Sequence, residues 1–263
     1  MTVPTTVGRP KRRRLGQNFL VDRGVARRIA DLLDDDPPRV VEIGPGRGAL
    51  TDVLLDRFRT VRAVELDAEL IGPLDARFGD RGLEVLHADA LTVALDPLVG
   101  NSAPWQVASN LPYSVGTAIL RRLMPRHDLF SRLVVMLQLE VARRVVARPG
   151  DGNHGLMALE RAAWADAHIA FTVHRRAFRP VPKVTSAVLV VTLRPAQADP
   201  GDIEVALEIA SAALTRPRKM LPNALGSLGG GSEVERAGID PRIRPGQLAL
   251  EDWLRLARVL TER

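Results

Sequence analysis

Arg39-Val40-Val41-Glu42-Ile43-Gly44-Pro45-Gly46-Arg47-Gly48 is a short apolar run closed by a glycine turn. The run has the length and β-branched content of a buried strand, and the pattern that follows, Ala49 to Phe58, is helical. The same unit repeats downstream. Strands are expected at Val61–Leu66, Leu83–His87, Trp105–Ser109 and Leu133–Gln138. Helices are expected at Leu70–Phe78, Ser114–Met124 and Glu140–Arg148, the last closed by Pro149-Gly150. Apolar runs alternating with helices predict an α/β fold, a parallel sheet wound on both faces. Ala167–Val173 and Ala187–Leu193 break the alternation and are expected to form an antiparallel edge pair.

Outside this unit the texture changes. Residues 1–14 are polar and basic and are expected to be mobile. Val21–Leu33 reads as a helix with Asp22 as its N-cap, ended by Pro37-Pro38. After Arg194-Pro195, a linker over Ala196–Gly201 leads to helical patterns only: Ile203–Leu214, Lys219–Leu225, Ser232–Ala237 and Gln247–Leu260. Gly229-Gly230-Gly231 reads as a flexible loop between them. The expected organisation is therefore a basic arm (1–14), a Rossmann-like domain (15–195) and a small all-helical C-terminal domain (196–263).

Composition narrows the function. The chain has 263 residues and no cysteine, which excludes disulfide scaffolds, thiolate nucleophiles and cysteine-held metals. No apolar run approaches the roughly 18 residues of a membrane span, and the basic N-terminus lacks the apolar core of a secretory signal. A cytoplasmic protein with no membrane partner is expected. The five histidines lack metal-ligand spacing, and no metal is expected. The net charge is +6, with 34 arginines against three lysines. The excess lies in the first 194 residues. Residues 1–14 hold five basic side chains and no acid, and His174–Lys183 holds four and no acid. Arginine pairs bidentately with phosphate, so clustered arginine suits a nucleic-acid surface.

The glycine turn points to a nucleotide. Glycines allow positive φ and close backbone approach, and the helix start offers free N–H groups. Glu65, about 20 residues beyond, ends the second strand, where an acid can hold a ribose diol. Asp89 ends the third strand, where it can accept from an adenine amine. Acids at successive strand ends favour an adenosine-containing cofactor. The G-x-G-x-G spacing of Gly44, Gly46 and Gly48 is one residue shorter than a dinucleotide fingerprint, which favours S-adenosyl-L-methionine over a nicotinamide cofactor.

The fourth strand ends Ser109-Asn110-Leu111-Pro112-Tyr113, and Tyr113 is the only tyrosine. This set suits methylation of an amine on a base. The Asn110 side-chain oxygen and the Leu111 carbonyl can accept from the amine and aim its lone pair at the methyl group. Pro112 has no N–H to compete and stiffens the loop. Tyr113 can stack on the base, a contact worth roughly 1–3 kcal/mol. A sulfonium is already a strong electrophile, so alignment can carry the rate.

These residues resemble the ribosomal RNA adenine N6-dimethyltransferase family, whose sheet is of the class I methyltransferase type. So do Leu15-Gly16-Gln17-Asn18-Phe19-Leu20, Gln138-Leu139-Glu140-Val141-Ala142-Arg143-Arg144, Ala147-Arg148-Pro149-Gly150 and Phe178-Arg179-Pro180-Val181-Pro182-Lys183-Val184-Thr185-Ser186-Ala187-Val188. The resemblance spans about residues 11–260. It implies S-adenosyl-L-methionine as donor, S-adenosyl-L-homocysteine as product, and a donor site at Asn18, Leu20, Gly44, Gly46, Glu65, Leu66, Asp89, Ala90 and Asn110. It implies a target-adenine clamp of Asn110, Leu111, Pro112, Tyr113 and Phe178. Arg12, Arg13, Arg14, Arg175, Arg176, Arg179, Lys183, Arg218 and Lys219 are expected to bind RNA.

Within the family, Arg218-Lys219-Met220-Leu221-Pro222-Asn223-Ala224-Leu225 and Ala237-Gly238-Ile239-Asp240-Pro241 are similar to the housekeeping, KsgA-type branch, although Pro217 stands where that branch usually has a basic residue. That branch implies dimethylation of two adjacent adenosines near the 3′ end of 16S rRNA, in an immature small ribosomal subunit, by an enzyme expected to be a monomer. The alternatives are an Erm-type enzyme acting on 23S rRNA, a nicotinamide-dependent oxidoreductase and a non-catalytic RNA-binding assembly factor.

Overall fold

The computed structural model describes residues 17–262. The expected basic arm, with Arg12, Arg13 and Arg14, lies outside them. Strand β1 (Phe19–Leu20) leads into helix α1 (Arg23–Ala30). Asp22 caps that helix, its carboxylate accepting from Val25 N at 3.1 Å. The winding then runs β2 (Arg39–Ile43), α2 (Ala49–Arg57), β3 (Thr60–Glu65), α3 (Ala68–Phe78), β4 (Leu83–His87), α4 (Leu95–Val99), β5 (Trp105–Asn110), α5 (Gly116–Leu123), β6 (Phe130–Gln138) and α6 (Leu139–Val146). Helix α7 (Leu156–Trp164) precedes β7 (Ala165–Val173), β8 (Phe178–Arg179) and β9 (Ser186–Leu193). The chain ends in α8 (Pro200–Leu214), α9 (Leu221–Leu225), α10 (Gly231–Arg236) and α11 (Leu250–Thr261).

Seven strands form one sheet in the order β4-β3-β2-β5-β6-β9-β7. All adjacent pairs from β4 to β6 are parallel, while β9 runs antiparallel to both β6 and β7. The anticipated antiparallel pair is present, with β9 inserted between β6 and the edge strand β7. Both faces are covered. Val40, Val134 and Met136 enter one apolar cluster, and their neighbours Val41, Val135 and Leu137 enter the other. The two-residue alternation of a strand thus feeds two cores, which is why these strands read as continuous apolar runs.

Strand order reverses between β3-β2 and β2-β5, and ligands of wound sheets sit at the carboxyl ends beside such a reversal. Register brings those ends level: Ile43 lies opposite Val64 and Ser109, and Glu65 opposite His87. The Ser109 hydroxyl donates to the Ile43 carbonyl at 2.5 Å and locks β5 to β2 at this point.

A third apolar cluster holds the C-terminal helices together around the buried Trp253. It also takes Leu159 and Ala163 from α7, a helix not anticipated from sequence. The expected linker is shorter than its composition suggests. Asp199 caps α8 by accepting from Gly201 N at 2.8 Å, and Pro200 occupies the first turn, where its missing N–H costs nothing. The glycine run is not an open loop either. A side chain at Gly229 would come within 2.7 Å of Leu260 Cδ2, and Gly231 starts α10. No helix among the described residues is long and apolar enough to cross a membrane.

Candidate active site

The crevice beside the strand-order reversal consists of two adjoining cavities. Gln17, Gly44, Glu65 and Pro112 line both. Its floor is the turn after β2. Gly44, Gly46 and Gly48 all have positive φ, from 59° to 76°. Two of them also have no room for a side chain. A Cβ at Gly46 would lie 3.0 Å from Phe19 Cδ1, and one at Gly48 would lie 2.3 Å from Phe78 Cε2. Phe19 from β1 therefore lies directly against the turn.

Glu65 is buried at the end of β3. Its Oε2 accepts from Gly46 N at 3.0 Å and its Oε1 from Asp67 N at 2.9 Å. The carboxylate thus ties the second strand end to the glycine turn. Each oxygen keeps a further lone pair for a ligand hydroxyl. Glu42 is also buried and lines the crevice. Thr51 Oγ1 donates to its Oε2 at 2.6 Å. Burial pushes the Glu42 carboxyl up to about 8, reinforced by the nearby Glu65 charge and opposed by the Thr51 hydrogen bond.

Leu66, Asp89, Ala90, Val115 and Ile119 line the second cavity, a mainly apolar slot with two carboxylates, Glu65 and Asp89. Asp89 Oδ1 accepts from Leu91 N at 2.8 Å, and Arg122 donates to the Ala90 carbonyl at 2.8 Å, which fixes the slot's edge. Gln17, not anticipated as a site residue, is a further fit to a ligand. Its Oε1 is buried without a hydrogen-bond partner, a costly state that a donor group on a bound molecule would relieve. It lies inside the Leu15–Leu20 stretch, which could have drawn attention to it. The acceptor-rich strand ends, the apolar slot and the orphaned amide oxygen fit an adenosine-bearing donor.

Asn110, Leu111, Pro112 and Tyr113 border the same crevice. Leu111 N donates to the Met136 carbonyl at 3.0 Å, and Gly116 N to the Pro112 carbonyl at 2.8 Å, so the loop is held at both ends. Asn110 Nδ2 donates to the Asn18 carbonyl at 3.0 Å. The Tyr113 hydroxyl and the Ser186 hydroxyl are 2.5 Å apart. Burial raises the Tyr113 phenol above its ordinary value, with the Ser186 bond acting the other way. Asn18 and Leu20, the remaining donor-site expectations, line this cavity through the segment that carries β1.

Phe178 departs from its expected place. Its ring is 0% exposed and belongs to the core beneath the sheet rather than to the crevice lining. The cause is the short antiparallel pairing of β1 and β8, in which Leu20 lies opposite Phe178 and Phe19 opposite Arg179. Strand alternation turns Arg179 outward and Phe178 inward. Arg175, Arg176, Arg179 and Lys183 are exposed around this ring, and Arg218 and Lys219 are exposed between α8 and α9.

Comparison with known proteins agrees with this geometry. The ribosomal RNA adenine dimethylase family matches residues 8–262. Ribosomal RNA small subunit methyltransferase A of Geobacter metallireducens is 39% identical over 261 residues, covering 95% of both chains. The protein of that name from Roseobacter denitrificans is 41% identical, over 95% of this chain and 91% of its own. The crystal structure of the 23S rRNA methyltransferase ErmE superposes with a TM-score of 0.70 at 28% identity, over 93% of this chain and all of that one. A dimethyladenosine transferase from Plasmodium falciparum shares the fold, with a TM-score of 0.72 at 22% identity. The wound sheet, the crevice at its strand-order reversal and a match over nearly the whole chain make this protein a member of the ribosomal RNA adenine dimethylase family.

Proposed function

We propose that this enzyme dimethylates the N6 amines of two adjacent adenosines near the 3′ end of 16S rRNA, using S-adenosyl-L-methionine and releasing S-adenosyl-L-homocysteine. It acts as a cytoplasmic monomer on an immature small ribosomal subunit. The observation that carries this reading is the placement of Asn110–Tyr113 on the same crevice as the glycine turn and Glu65. The small-subunit assignment is supported by relatives named for that subunit at 39–41% identity over almost all of their length.

The donor supplies an electrophilic methyl carbon on a sulfonium. Every other requirement falls to side chains. Glu65 and Asp89 orient the nucleoside, with Asn18, Leu20, Gly44, Gly46, Leu66 and Ala90 closing around it. With Asn110 Nδ2 committed to the Asn18 carbonyl, Oδ1 is the amide atom that accepts from the target amine. The Leu111 carbonyl is the second acceptor, and together they turn the nitrogen lone pair toward the methyl group. Tyr113 stacks on the adenine, its ring plane held through Ser186. Phe178 can join the clamp only if the β1–β8 pairing shifts. Arg175, Arg176, Arg179, Lys183, Arg218 and Lys219 bind the RNA backbone, with Arg12, Arg13 and Arg14 as further RNA-binding residues.

The test is incorporation of labelled methyl into small subunits from cells lacking the modification, followed by mapping of dimethyladenosine in both rRNAs. Wild type is expected to label two adjacent adenosines of 16S rRNA. Asn110→Ala is expected to fall at least about 100-fold, the scale of a lost preorganised dipole. Equal labelling by both proteins would overturn the catalytic assignment. Label in 23S rRNA alone would favour the second reading, which the likeness to ErmE keeps open.

A further inference from the structure

The linings of the two cavities are unequal in charge. Among the described residues they contain three carboxylic side chains, Glu42, Glu65 and Asp89, and a single cationic one, Arg47. An S-adenosyl amino acid presents an adenine amine, a ribose diol, a cationic sulfonium and an ammonium, all of which suit carboxylates. It also presents one carboxylate, which those acids repel. We infer that Arg47 recognises the amino-acid carboxylate of the donor, a donor-binding role that rests on the S-adenosyl-L-methionine reading above.

The surroundings of Arg47 leave its charge available. Its guanidinium lies 4.7 Å from the centroid of the Phe19 ring, and it forms no ion pair among the described residues. The other arginines on this side are already committed. Arg23 and Arg81 each pair with both Asp52 and Asp56, and Arg77 approaches Asp52. Arg77 also donates to the Arg47 carbonyl at 3.3 Å, which steadies the backbone of the turn. Gly46 and Gly48, both at positive φ, flank Arg47 and leave it as the side chain at the rim of the crevice. The Phe19 face limits the rotamers of the guanidinium without using its N–H groups, so the bidentate fork stays open to a carboxylate. Lysine at this position would keep the charge but lose the fork.

Calorimetry on the full chain tests this with two ligands, S-adenosyl-L-homocysteine and its decarboxylated analogue. In Arg47→Gln, affinity for S-adenosyl-L-homocysteine is expected to fall roughly 5- to 50-fold, the scale of a charge-assisted hydrogen-bonded pair. The decarboxylated analogue is expected to bind wild type and variant equally, and that equality also reports an intact site. Unchanged affinity for S-adenosyl-L-homocysteine would overturn the inference. An equal loss for both ligands would do so too, by showing that Arg47 acts only through Phe19 or the turn. Failure of wild type to bind S-adenosyl-L-homocysteine at all would instead remove the donor reading on which it stands.

Discussion

The proposed donor side and the proposed target side of the crevice are built differently. On the donor side each group is held by near neighbours. Glu65 bonds the glycine turn, Glu42 is bonded by Thr51, and Phe19 and Phe78 fill the space that side chains at Gly46 and Gly48 would need. The target side is assembled from segments far apart in the chain: Asn18 with Asn110, Ser186 with Tyr113, and Leu20 with Phe178. Its aromatic Phe178 is enclosed, while the arginines around it are exposed. The donor half is preorganised, which limits the ordering cost of binding. Phe178, proposed for the target half, has no exposed surface to offer a base in this arrangement. Under the proposed function, such a design separates binding of a small, invariant cofactor from recognition of a large RNA surface.

The sharpest way to break that contrast is Glu65→Ala. It removes the proposed ribose contact and also strips the partner from Gly46 N and Asp67 N. Affinity for S-adenosyl-L-homocysteine is expected to fall about 100-fold by calorimetry, with RNA affinity retained. A matching loss of RNA binding would show the halves to be one cooperative unit. The reciprocal experiment reverses charge at Arg176 and Arg179. RNA affinity is expected to fall roughly 10-fold at moderate salt, and the slope of log K against log salt to flatten by about 2, with donor affinity unchanged. An unaltered slope would remove both residues from the RNA interface.

The smallest expected effect concerns Glu42. Its carboxyl is raised to about 8 in the folded protein, chiefly by burial, so the native state binds this proton more tightly than the unfolded chain does. Stability is therefore lost as pH rises through the interval between the ordinary carboxylate range and about 8. The melting temperature of the ligand-free protein is expected to fall by roughly 3–8 °C between pH 6 and 8, and by clearly less in Glu42→Gln, which can still accept from Thr51. Parallel pH profiles for the two proteins would show that Glu42 ionises without cost.

Much of this was legible in the chain before any coordinates. The strand positions, the Asp22 cap, the acids at the strand ends and the Asn110–Tyr113 loop are local patterns, and each sits where its pattern implied. The misses share a cause. Helix α7 is packed on both sides, against its neighbours and the C-terminal cluster, so it carries little periodic contrast. Two-residue strands such as β1 and β8 have no periodicity at all and exist only because they find each other. Gly229 looks flexible by composition, but Leu260 determines its surroundings.

The linear order of residues was sufficient to establish the α/β winding and to put Glu65, Asp89 and the Asn110–Tyr113 loop at its strand ends, because turn chemistry and side-chain periodicity act over a few neighbours. Only the tertiary structure decided that Phe178 lies inside the core, that β9 is inserted beside β6, and that Arg47 lines the same cavity as Glu42 and Glu65. The Phe178 and β9 outcomes depend on pairings across 48 (Gln138 with Ser186) to 160 positions (Phe19 with Arg179), where the free energy of contact is set by which surfaces meet rather than by any local preference.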